Sequence, residues 1–135
     1  MTIELRLDRT RKLAQTVHIR GHALIVDIGD GEGGDDAGPS PHDLYDAALG
    51  ACKALTVMWY ARKKGIPVDD IQTLVEHDDS GERSGVYRLT TRLKIHGTLT
   101  DAQLGELQAV AEKCPVHKLM TRVTTEITTE VERLS

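Results

Sequence analysis

Apolar and polar positions alternate along the N-terminal part of the chain, as they do in β-strands. Ile3, Leu5 and Leu7 alternate with polar residues, which predicts a half-buried strand. A second apolar stretch covers residues 13–19, and a further alternation covers residues 24–28. Together these segments predict a meander of three strands.

A long helix is predicted next, and capping residues mark its ends. Ser40 is a good N-cap, Pro41 suits the first helical position, and Asp43 falls where a capping-box acid belongs. Gly65 and Pro67 are expected to end the helix. Small and aliphatic residues recur along it at three- and four-residue spacing: Leu44, Ala47, Ala48, Ala51, Cys52, Leu55, Met58 and Trp59. Such a stripe predicts a helix buried against a partner.

The C-terminal half alternates between strand and helix patterns. Residues 71–77 and 86–97 are predicted strands, and Thr100 with Gln103 marks the start of a second helix. Pro115 interrupts that helix, so we expect a short third helix after it. A last, Thr-rich strand is predicted from apolar residues at even spacing: Val123, Ile127 and Val131.

One glycine-rich acidic segment, residues 29–39, separates the first strands from the long helix. It has no regular periodicity and no phosphate-binding glycine motif. We therefore predict a flexible, solvated loop. Whether residues 29–38 close over a site is left open by the sequence.

Length and composition narrow the class of protein. A chain of 135 residues fits one domain, residues 1–135, and the order of its elements is α+β. The net charge of −4, with both signs mixed, argues against a nucleic-acid module and a polybasic membrane patch. No apolar run approaches the ~20 residues of a membrane span, and no signal-peptide pattern is present. We expect a cytoplasmic protein, in which cysteines are seldom paired for structural reasons.

Cys52 and Cys114 are the two cysteines and the main candidates for chemistry. A thiolate attacks the O–O bond of a peroxide to give a sulfenic acid, and a second thiol condenses with that acid to form a disulfide. On the apolar face of the long helix, Cys52 needs a cationic neighbour to ionise, for which Arg9, Arg11 and Arg20 are candidates. Cys114 stands where the short third helix begins, where free backbone N–H groups favour a thiolate.

Two other interpretations of these residues stay open. Cysteine is often a small buried hydrophobe, and Cys52 fits that description. Cys114 and His117 have the C-x-x-H spacing of a metal motif, so a zinc site that includes Cys52 is an alternative. Zinc sites usually show paired ligand motifs, however, and this chain has one.

Two segments resemble the OsmC/Ohr family, named for osmotically inducible protein C and organic hydroperoxide resistance protein. Residues 38–52, GPSPHDLYDAALGAC, look like the helix with that family's reactive cysteine. Residues 111–118, AEKCPVHK, look like the segment with its second cysteine and resemble the OsmC-like subgroup. The resemblance covers essentially the whole chain. It implies an OsmC-like fold, an intertwined homodimer whose central helices pack between two mixed β-sheets.

The resemblance also implies a function. Cys52 matches the peroxidatic cysteine and Cys114 the resolving one, in active sites at the subunit interface. The implied activity is a thiol-dependent peroxidase that reduces organic hydroperoxides and also hydrogen peroxide. The reductant would be an external dithiol of the lipoamide type or a lipoylated protein, with no bound metal or flavin.

The sequence departs from the peroxidase pattern close to the reactive cysteine. Members of the family that are peroxidases have a Glu shortly before the helix. This Glu holds an Arg beside the reactive thiol. His42 stands at that position here, Asp43 follows it, and Arg11 matches the Arg by position. We expect these three residues to tune Cys52. The alternative is a non-peroxidatic OsmC-like protein that uses the interface pocket for binding or for other thiol-redox chemistry.

Overall fold

The computed structural model describes residues 1–134 and divides them into two compact units. The first unit contains residues 1–50 and 73–92, and the second contains residues 51–72 together with everything from residue 93 onward. The predicted α+β class is confirmed. In chain order the elements are β1 (Ile3–Leu7), β2 (Gln15–Ile19), β3 (His22–Val26), α1 (Pro41–Lys64), β4 (Val68–Asp78), β5 (Arg88–Gly97), α2 (Asp101–Glu112) and α3 (Pro115–Arg122).

The predicted meander forms the sheet of the first unit. Strands β1, β2 and β3 pair in that order and antiparallel, with Val17 opposite Leu5 on one side and Leu24 on the other. Val17 and Val26 are buried in this unit. The prediction that β1 is half-buried was wrong, since all five of its residues are exposed. β1 is an edge strand, and its apolar residues Ile3, Leu5 and Leu7 remain 46–53% exposed within the described chain.

The glycine-rich segment is folded around the buried carboxylate of Asp27. That carboxylate accepts hydrogen bonds from the backbone N–H groups of Ile28, Asp35 and Ala37 at 2.8, 3.1 and 3.1 Å. Burial alone would raise the pKa of Asp27, but the three donors outweigh it and hold the pKa below its ordinary value. Apart from a 3₁₀ turn at Asp30–Glu32 the segment is an irregular loop, as predicted, and one buried acid organises its backbone. Its flexibility stays a prediction.

Local packing also fixes the course of this segment. Residues Asp30–Glu32 form a short 3₁₀ turn, and the Asp27 N–H donates to the Pro39 carbonyl at 3.1 Å. Gly38 lies so close to Ile25 that a Cβ there would meet its carbonyl oxygen at 2.1 Å. Only glycine permits that approach of two backbones.

Helix α1 begins with the predicted capping box. The Ser40 N–H donates to Asp43 Oδ2 at 2.9 Å, and the Asp43 N–H donates to Ser40 Oγ at 3.1 Å. The helix ends at Lys64, and Gly65 follows with a φ of 70°, as its role of helix stop requires. Neither this 24-residue helix nor any other within residues 1–134 has the length and apolar character needed to cross a bilayer.

The buried side of α1 differs from the predicted apolar stripe. Within the described chain the stripe is largely open, with Leu55 71% and Trp59 63% exposed. The buried positions are instead Asp46, Leu49 and Gly50 in the first unit and Lys53, Val57 and Ala61 in the second. Two of these are charged, so hydrophobicity alone could not identify the buried side.

The core of the second unit packs α1 and α2 against β4 and β5. Val57, Ala61, Ile66 and Leu107 are its fully enclosed side chains, and aliphatic residues of the two strands surround them. Helix α2 starts at the predicted capping box, in which Thr100 and Gln103 bond reciprocally. Helix α2 ends at Glu112, and α3 begins three residues later at Pro115.

The predicted final strand was wrong for the described chain. Residues 123–134 pair with no strand, and Ile127 and Val131 are 81% and 95% exposed. A strand needs a hydrogen-bonding partner, and no sheet edge within residues 1–134 provides one for this segment. Its apolar residues therefore stay in solvent.

Candidate active site

The two thiols lie side by side in the second unit. Cys52 is in the middle of α1 and partly exposed, whereas Cys114 is fully buried, and both are free thiols. The Cys52 side chain is near enough to Cys114 to raise the pKa of the Cys114 thiol. The backbone N–H of Val116 donates to Cys52 Sγ at 3.5 Å. The first turn of α3 thus contacts the sulfur on α1.

Pro115 explains why this contact forms. It occupies the first position of α3, where a missing N–H costs nothing and a fixed φ favours the helix. Cys114 is the N-cap, with the extended backbone expected there, which confirms the prediction that it begins the third helix. The free N–H of Val116 in this first turn therefore points to the Cys52 sulfur.

Lys53 is the cation beside the thiols. Its side chain is only 5% exposed, and its Nζ donates to the Ala111 carbonyl and to His117 Nδ1, both at 2.9 Å. The cation expected beside Cys52 was one of the N-terminal arginines, and Lys53 was not predicted. The signal available was its position directly after Cys52, but a lysine in a helix is usually exposed.

Opposing effects act on the Cys114 thiol. Burial raises the pKa of Cys114 most strongly, and the neighbouring Cys52 thiol raises it further. The backbone N–H of His117 and the ammonium of Lys53 lower it, but the pKa stays above the ordinary value. In the reduced protein Cys114 is therefore held as a neutral thiol.

The side chains near the thiols do not form the zinc ligand set considered from the sequence. No group of three His, Cys, Asp or Glu side chains in residues 1–134 has the arrangement of metal ligands. His117 uses Nδ1 to accept from Lys53, so that nitrogen is already engaged.

The three residues expected to tune Cys52 belong to the first unit, and each has a local partner there. Arg11 Nε pairs with Asp8 Oδ2 at 3.2 Å. His42 Nε2 pairs with the Glu82 carboxylate at 3.0 Å, and the carboxylate of Asp43 caps α1. Their role toward Cys52 stays a prediction.

An open cavity of about 390 Å³ lies beside His42 in the first unit. The hydrogen bond and charge of Glu82 raise the pKa of His42 above its ordinary value, so the pair favours imidazolium. The lining combines this ion pair with two tyrosine rings: Pro41, His42, Tyr45, Glu82 and Tyr87.

A buried carboxylate supports one wall of this cavity. Asp46 Oδ1 accepts from the Tyr87 hydroxyl at 2.6 Å, and Oδ2 bonds His77 Nδ1 at 2.8 Å. Burial and the bond to Asp46 raise the pKa of Tyr87, which keeps the phenol protonated as the donor. Asp46 was not among the candidate residues named from the sequence.

A family comparison places both cysteine segments within one matched region of the chain. The family model described as OsmC-like protein matches residues 33–130, which include both cysteines. The chain belongs to the OsmC-like family. The resemblance noted from residues 38–52 and 111–118 is thereby confirmed. No curated protein sequence matches this chain.

Solved structures of OsmC and Ohr proteins share the fold. An OsmC-like protein from Mycoplasma pneumoniae is 19% identical with a TM-score of 0.72, covering 90% of this chain and 87% of that one. The organic hydroperoxide resistance protein OsmC from Legionella pneumophila is 20% identical with a TM-score of 0.63, covering 90% and 88%. The organic hydroperoxide resistance protein OhrB of Bacillus subtilis is 21% identical with a TM-score of 0.57, covering 90% of both chains. At 19–21% sequence identity, the structural similarity to these proteins establishes the fold of this OsmC-like chain.

Proposed function

We propose that this OsmC-like protein is a thiol-dependent peroxidase that reduces organic hydroperoxides through a Cys52–Cys114 disulfide. The observation that supports it best is the contact between a partly exposed thiol on α1 and a fully buried thiol at the start of α3. Fold neighbours named as organic hydroperoxide resistance proteins support the same substrate class.

The proposed cycle begins at Cys52 because this residue is partly exposed whereas Cys114 is buried. The Cys52 thiolate attacks the distal oxygen of the hydroperoxide, and the O–O bond breaks. Cys52 becomes a sulfenic acid, and the alkoxide takes a proton to leave as the alcohol. The Val116 N–H at the sulfur is placed to stabilise the attacking thiolate.

Cys114 then resolves the sulfenic acid. Its thiolate attacks the Cys52 sulfur and displaces hydroxide, which leaves as water with the proton that Cys114 lost. An external dithiol of the lipoamide type, free or on a lipoylated protein, reduces the resulting disulfide and restores both thiols. The sum is hydroperoxide plus dithiol giving alcohol, water and the oxidised dithiol, so no bound cofactor is required by this cycle.

The working form proposed for this cycle is a homodimer. Three regions of the described chain leave apolar side chains in solvent, which is the character of an interface that a second copy covers. The exposed residues are Ile3, Leu5 and Leu7 on β1, Leu55 and Trp59 on α1, and Ile127, Val131 and Leu134 near the C-terminus.

We expect sedimentation equilibrium to give a dimer at micromolar concentration. The Leu55→Glu, Trp59→Glu variant should shift it toward monomer, because two charges would be buried in the interface. Leu104→Glu is the control, because Leu104 is also an exposed apolar residue but lies on α2. This substitution should leave the dimer intact. A monomeric wild type, or a dimeric double variant, contradicts this assignment of α1 to the interface.

A second candidate function is binding without peroxide chemistry. The observation that favours it is His42 at the position of the family Glu, bonded to Glu82 beside a cavity of about 390 Å³. In that case the cavity in the first unit would bind a ligand, and the two thiols would exchange electrons with a partner other than a hydroperoxide.

Hydroperoxide turnover separates the two candidates. We expect the dithiol-reduced protein to consume cumene hydroperoxide, and Cys52→Ser to fall to the rate of the free dithiol because the nucleophile is lost. Freed of dithiol, Cys114→Ser should consume about one equivalent and stop at the Cys52 sulfenic acid, because it has no second cysteine with which to form a disulfide. Wild-type consumption at the free-dithiol rate would reject the peroxidase and favour the binding function.

A further inference from the structure

The ammonium of Lys53 is buried without a counter-ion. Its two acceptors, the Ala111 carbonyl and His117 Nδ1, are neutral, because a ring nitrogen that accepts from an ammonium has no proton of its own. Within residues 1–134 no carboxylate lies within ion-pair distance of Nζ. A buried charge without a counter-ion is costly in free energy. The position of Lys53 beside two thiols therefore suggests that an anion forms next to it during the reaction cycle.

Cys114 is a group beside Lys53 that becomes negative in the proposed cycle. It is fully buried, so water cannot stabilise its thiolate. The titratable groups that act on it are Cys52 and Lys53 on α1, and His117 on α3 contributes its backbone N–H. Of these, the Lys53 ammonium and the backbone N–H of His117 act in favour of the thiolate.

The reduction of the disulfide requires that thiolate. A dithiol reaches the partly exposed Cys52 sulfur and not the buried Cys114 sulfur. The reductant thiolate bonds to Cys52, the S–S bond breaks, and Cys114 leaves with the electron pair. The second reductant sulfur then displaces Cys52, and the two protons of the dithiol end on the two cysteines. A stabilised leaving thiolate makes the first exchange faster.

We propose that Lys53 is a positioning residue that provides the counter-ion for the Cys114 thiolate and, through His117, holds the first turn of α3 against Cys52. The role in reduction rests on the proposed peroxidase cycle. The counter-ion role does not, since it concerns one ionisation and one thiol–disulfide exchange that can be measured without a hydroperoxide.

The first test titrates Cys114 in a Cys52→Ser background, following thiolate absorbance in the ultraviolet. We expect Lys53→Met to move the midpoint of thiolate formation upward by about one pH unit, which is a tenfold loss of thiolate below the midpoint. Lys53→Arg should stay close to the parent because the charge is kept. Lys113→Met removes an exposed lysine next to Cys114 in sequence and should leave the midpoint unchanged.

The second test measures the exchange itself in the protein with both cysteines. The disulfide is formed with diamide and reduced with dihydrolipoamide. We expect Lys53→Met to slow the reduction about tenfold, if the whole loss of Cys114 thiolate stability acts on Cys114 as the leaving group. Lys113→Met should reduce at the parent rate. A protein without peroxidase activity can still pass both tests, which separates this proposal from the proposed function.

Two results would overturn the counter-ion role. One is an unchanged midpoint in a Lys53→Met protein whose circular dichroism matches the parent, and the other is an unchanged rate of reduction. Should the methionine variant not fold, Lys53→Gln takes its place, since its amide keeps a donor for the Ala111 carbonyl and His117 while removing the charge. A parent-like midpoint in the folded glutamine variant would leave Lys53 with a structural role alone.

Discussion

Two charged side chains of α1, Asp46 and Lys53, are buried, and each is satisfied by polar partners within its own unit. Asp46 accepts from Tyr87 and bonds His77, and Lys53 donates to a carbonyl and to His117. Buried polar groups are tolerated when hydrogen-bonded. Because those partners come from residues 31 to 64 positions away in sequence, no local pattern could have assigned them.

The reactive pair itself could be predicted from sequence only in part. The two cysteines were named because of their residue type and their resemblance to family segments, and the structure brings them together. Lys53, which lies beside them, was not predicted to be buried, because a lysine in an amphipathic helix is expected on the solvent-exposed face. Their roles as attacking and resolving thiols stay predictions.

The His42–Glu82 pair gives a pH-dependent prediction at the residue scale. The folded-state pKa of His42 is raised above the ordinary 6.5 by Glu82, so the pair stabilises the fold fully below 6.5 and loses this contribution as the pH rises through the folded-state pKa. We expect the difference in free energy of unfolding between wild type and Glu82→Gln, from urea titrations, to be largest at low pH and to shrink above neutrality.

Glu76→Gln is the matched control for this prediction. Glu76 is an exposed acid paired with Arg92 at 3.7 Å, and an arginine keeps its charge throughout the neutral range. Its effect on unfolding should therefore be flat across the same pH series. A Glu82→Gln difference that is equally flat would show that His42 does not titrate against Glu82.

At the scale of elements, boundaries were easier to predict than burial. The capping boxes of α1 and α2 and the proline that begins α3 were correct, because each depends on residues within one turn of each other. The burial of β1 was predicted wrongly for the described chain, and the burial of the α1 stripe against a partner stays a prediction, because a sequence pattern does not say which surface covers an apolar stripe. The loop before α1 was predicted, but its course around Asp27 was not, because one buried carboxylate organises backbone groups up to ten residues away.

The first turn of α3 is the element on which the proposed chemistry depends. It supplies the N-cap thiol of Cys114, the N–H of Val116 at the Cys52 sulfur, and the ring of His117 for Lys53. Cys114 needs this turn for its contact with Cys52, and Pro115 sets where the turn begins. One short helix thus joins the two sulfurs and the buried cation.

At the scale of the whole molecule, the family and the fold class are established, and the activity is proposed. Both cysteine segments lie inside the matched region, residues 33–130, which is why sequence resemblance was sufficient for the family. Apolar residues of β1, α1 and the C-terminal segment are exposed within the described chain, and the homodimer that would cover them is proposed.

The most direct test of the central claim is the fate of the two thiols after one equivalent of cumene hydroperoxide. Reduced protein is freed of dithiol, treated, and digested for mass spectrometry. The proposed cycle predicts that both free thiols disappear together and that one peptide pair, joined through Cys52 and Cys114, replaces them. Unchanged thiols, or Cys52 oxidised to a sulfinic acid while Cys114 stays free, would contradict the two-cysteine mechanism.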